Sequence, residues 1–192
     1  MYARLDLTVV WVEPIPEVFL QLQRHLRQYP KQTAVQALVS SGDGERVTFN
    51  VASNNGESSS MLAPGGHLES WPDVAFTRQI ELETTSMATL LDRDDSTLPP
   101  RSALVMDTQG SELMILTGAT SVLNRFLYVK VEAPDFEAYV GCPSADDLSA
   151  FMAAQGFRLT GRFPGPEVTR GQGRYYDLVF TRSVSTRSHR PF

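Results

Sequence analysis

Three carboxylates stand where apolar runs stop: Glu13 after LTVVWV, Asp107 after ALVM, and Glu132 closing LYVKVE. In open α/β sheets, ligands bind in the crevice outside the carboxyl ends of the strands, so each acid would lie at the lip of a site. Such a convergence suits a ligand with hydroxyl groups or a positive charge, because a carboxylate accepts hydrogen bonds worth about 1.5–3 kcal/mol and attracts cations. Glu13 has the place that nucleotide-binding α/β folds give to the acid accepting from ribose hydroxyls. NAD and S-adenosylmethionine sites share that device, so Glu13 does not choose between them. An exposed turn acid beside Pro14 and Pro16 is the plain alternative. Behind Asp107, Gly110 lets the chain turn sharply, and Ser111 and Glu112 suit the first turn of a helix. Capping that helix is the plain alternative for Asp107.

His67 follows two glycines and is a candidate general base, since imidazole titrates near neutrality. A loop histidine is more often simply solvated, and that is the reading favoured here. Ser58, Ser59 and Ser60 could bind a polar substrate, although serine-rich loops are usually only loops. Asp92, Asp94 and Asp95 resemble the start of a calcium loop, but Thr97 and Ala103 stand where glycine and glutamate are required, so no metal site is expected. Cys142 is the single cysteine, which excludes an internal disulfide and a cysteine-built zinc site. A net charge of −5 argues against a nucleic-acid partner. No apolar run reaches membrane-span length and no signal-peptide pattern opens the chain, which leaves a cytoplasmic protein as the default.

These residues need elements to hold them. Leu7–Val12 is β-branched and aromatic, as a strand requires, and Pro16 opens a helix whose stripe is Ile15, Val18, Phe19, Leu22 and Leu26. Thr33–Ser40 reads as a strand, SGDG as a tight turn, and Arg46–Ala52 as its hairpin partner. A strand at Arg78–Thr84 leads into a helix at Met87–Asp92, and Asp92–Pro100 is a solvated connection. After the strand ending at Asp107 come its helix, the strand Leu127–Glu132, and a helix at Asp146–Gln155. Phe157–Phe163 and Tyr175–Arg182 form a final antiparallel pair. Strands alternating with helices predict one doubly wound α/β domain over residues 1–182, followed by a flexible tail at 183–192. The strands ending at Glu13, Asp107 and Glu132 are expected in one sheet, with all three acids on one edge.

The stretches VVWVEPIPEVFLQLQRHL, ALVSSGDGERVTFNVASNNGESSSM, VMDTQGSELMILTGA, YVKVEAPDFEAYVGC, AAQGFRL and GRYYDLVFTR follow one another over Val9–Arg182. In this order the chain resembles the FkbM-type methyltransferases, class I S-adenosylmethionine-dependent enzymes that commonly methylate hydroxyl oxygens on sugars or natural products. The resemblance implies a Rossmann-like sheet with an inserted β-hairpin and a C-terminal antiparallel pair. Family members begin with a strand and a glycine-rich cofactor loop, whereas no glycine occurs among the twelve residues before Glu13. An N-terminally truncated sheet is therefore expected, an inactive fragment that binds S-adenosylmethionine poorly or not at all, and either rearranged so that Val9–Val12 pairs directly with Ala103–Met106 or marginal and association-prone. By position, the resemblance implies Glu13, Pro14, Ile15, Asp107, Gln109 and Gly110 as cofactor-binding residues. It puts Ser58, Ser59, Ser60 and Glu132 on the side of a small-molecule hydroxyl acceptor, and Asp107 or His67 as the base. Two rivals stand beside this reading: a non-catalytic binding module with an acidic crevice, and a nicotinamide-dependent oxidoreductase.

Overall fold

A computed structural model describes residues 5–93, 99, 101–167 and 173–182. The expected tail and most of the Asp92–Pro100 connection lie outside the described residues. Strand β1 (Val9–Glu13) crosses through helix α1 (Pro16–Leu26) to the parallel strand β2 (Gln32–Gln36). Pro16 opens α1, Glu17 lies in its first turn and Arg24 and His25 in its last, so these side chains complement the helix dipole.

The segment read as one strand, Thr33–Ser40, divides at Ala37, whose N–H donates to the Glu13 carbonyl at 3.3 Å. Its second half is β3 (Leu38–Ser40), parallel to β5 (Phe76–Ser86). The expected hairpin with β4 (Arg46–Ala52) does not form, because β5 lies between them and pairs antiparallel with β4. Asp43 in the SGDG turn shows why. Its carboxylate accepts from the Thr85 hydroxyl at 3.0 Å, the Ser86 N–H at 2.8 Å and the Thr89 hydroxyl at 2.8 Å, so the turn is tied to the end of β5. Helix α2 (His67–Ser70) lies in the β4–β5 connection, and α3 (Met87–Arg93) follows β5.

The remaining strands form one sheet in the order β6 (Ser102–Met106), β7 (Phe126–Pro134), β9 (Arg174–Arg182), β8 (Phe157–Glu167). β6 and β7 are parallel, joined through α4 (Glu112–Gly118), and the final pair is antiparallel as expected. Helix α5 (Ala145–Ala154) starts at a reciprocal cap: the Ser144 hydroxyl accepts from the Asp147 N–H at 3.1 Å, and the Asp147 carboxylate accepts from the Ser144 N–H at 2.9 Å. Leu116, Leu148 and Met152 from these helices pack with Val129, Val131, Leu178 and Phe180 into the main core. Ala103, Val105, Tyr128 and Lys130 alternate with these core positions and are wholly or partly exposed on the opposite face. A Cβ at Gly118 would overlap the Ser40 carbonyl oxygen, which explains a glycine in the last turn of α4 where the helix lies against β3.

Two expectations are corrected here. β1 belongs to a two-stranded sheet with β2, so Glu13 does not share a sheet with Asp107 and Glu132. β1 also does not pair with β6. The α1 crossover brings β2 beside β1 and the α4 crossover brings β7 beside β6, and neither brings β1 beside β6.

Candidate functional site

The turn after β6 is built from two left-handed residues, Gln109 (φ +54°) and Gly110 (φ +99°). A Cβ at Gly110 would lie 3.0 Å from the Cys142 Cβ and 3.1 Å from the Tyr139 Cβ, so the turn is packed as well as bent. Glu112 is 2% exposed and reaches back to hold it. One carboxylate oxygen accepts from the Thr108 N–H at 2.9 Å, the Thr108 hydroxyl at 3.0 Å and the Gly110 N–H at 3.4 Å. Burial pushes the Glu112 carboxyl up against these hydrogen bonds. Sequence reasoning treated Glu112 only as a first-turn acid; the Thr-x-x-x-Glu spacing across a glycine is the signal that reveals this loop clasp.

Parallel register matches Met106 with Val131, so the next residues, Asp107 and Glu132, come side by side. Across β9, Glu132 is opposite Asp177, which is paired to Lys130 at 2.8 Å. Burial, and then the charges of Asp107, Glu112 and Asp177, push the Glu132 carboxyl up to about 8, with Lys130 acting in the opposite sense. Water reaches Asp107 at the lip, yet the protein around it raises its carboxyl too, opposed by the Gln109 amide donating at 2.6 Å and by Lys130. Two neighbouring carboxyls raised together share one proton near neutrality, as a pair.

His67 is not a solvated loop residue. It starts α2, is 3% exposed, and stacks on Tyr139 with ring centroids 5.0 Å apart. Its Nδ1 is 2.9 Å from the Tyr175 hydroxyl and its Nε2 is 2.9 Å from the Ser58 hydroxyl. Burial lowers its pKa, and with both ring nitrogens engaged it has no free position for a substrate proton. The serines are buried with it. Ser58 also accepts from the Asn54 amide at 3.0 Å, and Ser59 accepts from the Ala52 N–H at 2.9 Å. Ser60 donates to the Gln109 carbonyl at 2.7 Å, so this run braces the DTQG turn from beneath. Tyr139 and Tyr175, which the sequence reading passed over, complete the bracing. Their partners are distant in sequence, so no local spacing marks them.

Glu13 is half-buried at the end of β1, and one of its oxygens accepts from the Ile15 N–H at 2.7 Å. Burial raises its pKa. The Ile15 side chain turns away into a second core with Leu38, Phe49 and Val51, and Pro14 is half-buried between them in sequence. Asp107, Gln109, Gly110 and Glu132 are thus brought together, while Glu13 stands on a separate sheet. Among the described residues, no cluster of histidine, cysteine or acidic side chains is arranged to hold a metal ion, and no helix is long and apolar enough to cross a membrane.

A mixed α/β protein with carboxylates side by side on two parallel strands, Asp107 just past β6 and Glu132 within β7, is the class that fold and site define. The Methyltransferase FkbM domain matches residues 5–159, and the chain belongs to that family of methyltransferases. No curated protein and no solved structure matches it.

Proposed function

We propose that this protein is an S-adenosylmethionine-dependent O-methyltransferase acting on a hydroxyl of a small molecule such as a sugar or natural product, on a Rossmann-like methyltransferase sheet. The observation that carries this reading is the Asp107–Glu132 pair, held beside the DTQG turn on adjacent parallel strands. The donor set suits the cofactor in two respects. Glu13 keeps a carboxylate oxygen for ribose hydroxyls beyond the one that Ile15 occupies. Asp107, Glu132 and Asp177 outnumber Lys130, which favours a positively charged sulfonium over the anionic diphosphate of a dinucleotide. When bound, the cofactor supplies an electrophilic methyl group and a neutral thioether leaving group.

The chain's own residues would do the rest. The shared-proton pair receives the acceptor's hydroxyl proton as the oxygen–methyl bond forms. Glu132 holds the pair's proton at neutral pH, so Asp107, whose own carboxyl burial raises above the ordinary range, is the member that accepts. Gln109 and Gly110 fix the turn, and Glu112 keeps it from relaxing, so the reacting groups meet in a set geometry. The test is incubation with methyl-labelled S-adenosylmethionine and a panel of sugars and phenols. Label in a new ether carbon, reduced about 10²–10⁴-fold by Asp107→Asn, supports the reading. Reduction of a carbonyl with NADH, or no turnover with a bound ligand, would replace it with one of the rival readings.

A further inference from the structure

The Tyr139 hydroxyl poses a counting problem. It lies 2.9 Å from the Ser58 carbonyl and 2.8 Å from Gln109 Oε1, yet a phenol has one proton to give to these two acceptors. On its other side, the Gln109 amide nitrogen is 2.6 Å from Asp107 Oδ1. A half-turn of the amide exchanges its oxygen and nitrogen without moving any other heavy atom. The amide then donates to the Tyr139 oxygen, Tyr139 gives its proton to Ser58 alone, and every contact has one donor. The remaining requirement falls on Asp107: its oxygen now faces an amide oxygen, and that contact is a hydrogen bond only when Asp107 carries a proton.

We propose that Gln109 is a positioning residue whose amide turns over as Asp107 gains or loses its proton, with Tyr139 defining the two positions. With Asp107 ionised, the amide N–H faces it and holds the carboxylate in place. With Asp107 protonated, the amide oxygen accepts from it, and the Tyr139–Ser58 hydrogen bond closes. The proposal rests on the methyltransfer reading only for its use, in which Asp107 alternates between the two states during each turnover. Its geometry is independent of any ligand.

The groups that bear on Asp107 come from its neighbouring elements: Glu132 and Lys130 from β7, Asp177 from β9, and Tyr139 and Tyr175 behind the turn, while Glu112 from α4 acts on its partner Glu132. His67 stacks on Tyr139 and is engaged at both nitrogens, so it holds the tyrosine in place and does not exchange protons with the pair.

The experiment is a pH titration of the full chain by NMR, without cofactor, following the carboxyl carbon of Asp107 and the side-chain amide of Gln109 together. The amide signals are expected to shift with the same midpoint as the Asp107 carboxyl. Gln109→Met, which keeps the volume and removes the amide, is expected to raise the Asp107 midpoint by about one pH unit, because the ionised form loses a donor. Tyr139→Phe is expected to leave that midpoint within about a third of a unit and to broaden the amide signals, because the two positions are no longer defined. An amide that stays unchanged through the Asp107 titration overturns the proposal, and this readout needs no variant to fold. An unmoved midpoint in folded Gln109→Met overturns it as well. Failure of S-adenosylmethionine to react would remove the methyltransfer reading and leave these results as they stand.

Discussion

β1, which carries Glu13, has a hydrogen-bonded strand on one side and leaves Val10 42% and Val12 37% exposed. β7, which carries Glu132, has a strand on each side and buries Val129 and Val131 completely. The two acid-bearing strands are therefore built to different standards. On the four-stranded sheet, packing fixes the backbone, and buried tyrosine, serine and histidine side chains fix the turn around Asp107. On the two-stranded sheet, Glu13 is held mainly by its own local turn to Ile15. The contrast teaches a difference in construction: packing sets the Asp107–Glu132 end in advance, and the Glu13 end has fewer contacts to hold it.

The strongest way to break this comparison is to remove side chains from both sheets. Leu178→Ala, at a position with 0% exposure, should cost about 2–5 kcal/mol in a denaturant melt. Val12→Ala should cost less than about 1 kcal/mol, because much of that side chain already meets water. Equal losses would mean that the β1–β2 pair is as firmly built as the larger sheet.

A second contrast sets two glycines of similar φ against each other. Gly110→Ala puts a methyl group against Cys142, Leu62 and Tyr139 in a left-handed turn and should cost about 2–4 kcal/mol, with loss of any activity. Gly44→Ala, with nothing within 4 Å of its Cβ, bears only the backbone strain of φ +78° and should cost about 1 kcal/mol. Thermal melts of the two variants check this order.

The acid pair gives the third. Folded Glu132 keeps its proton up to about pH 8, whereas the unfolded chain releases it near the ordinary glutamate value of 4.5, so the native state binds more protons between these limits. Unfolding free energy should therefore fall as pH rises through that window. Glu132→Gln removes this slope, leaving the variant more stable than the parent at pH 8.5 and with no such advantage at pH 4.5. Denaturant melts across the range would show it, and parallel pH profiles for the two proteins would remove the shared-proton account.

The elements themselves were legible in the sequence because their signals are local. Pro16 opens α1, the apolar run before Asp107 is a strand, and the last two strands pair as neighbours in the chain should. Sheet membership was not legible. Thr33–Ser40 followed by a tight turn and an alternating run predicts a hairpin, and only the distant β5, captured by Asp43, shows that the strands are kept apart. His67 was misread for the same reason: its partner Tyr175 is 108 residues away, so nothing beside it announces that it is buried. Asp107 was legible as a strand-end acid, whereas β7 runs two residues past Glu132 to Pro134, and the adjacency of the two acids depends on the parallel register of β6 and β7.

Backbone hydrogen exchange, with and without S-adenosylmethionine, tests the central claim most directly, because it reads both strand ends in one experiment. The free protein should exchange the amides of β1 and β2 much faster than those of β7 and β9. Added cofactor should slow exchange at Glu13–Ile15 strongly and at Asp107–Gly110 slightly, since the second turn is already held. Slow exchange in β1 and β2 before any ligand is added, or cofactor protection that misses both strand ends, would contradict the account.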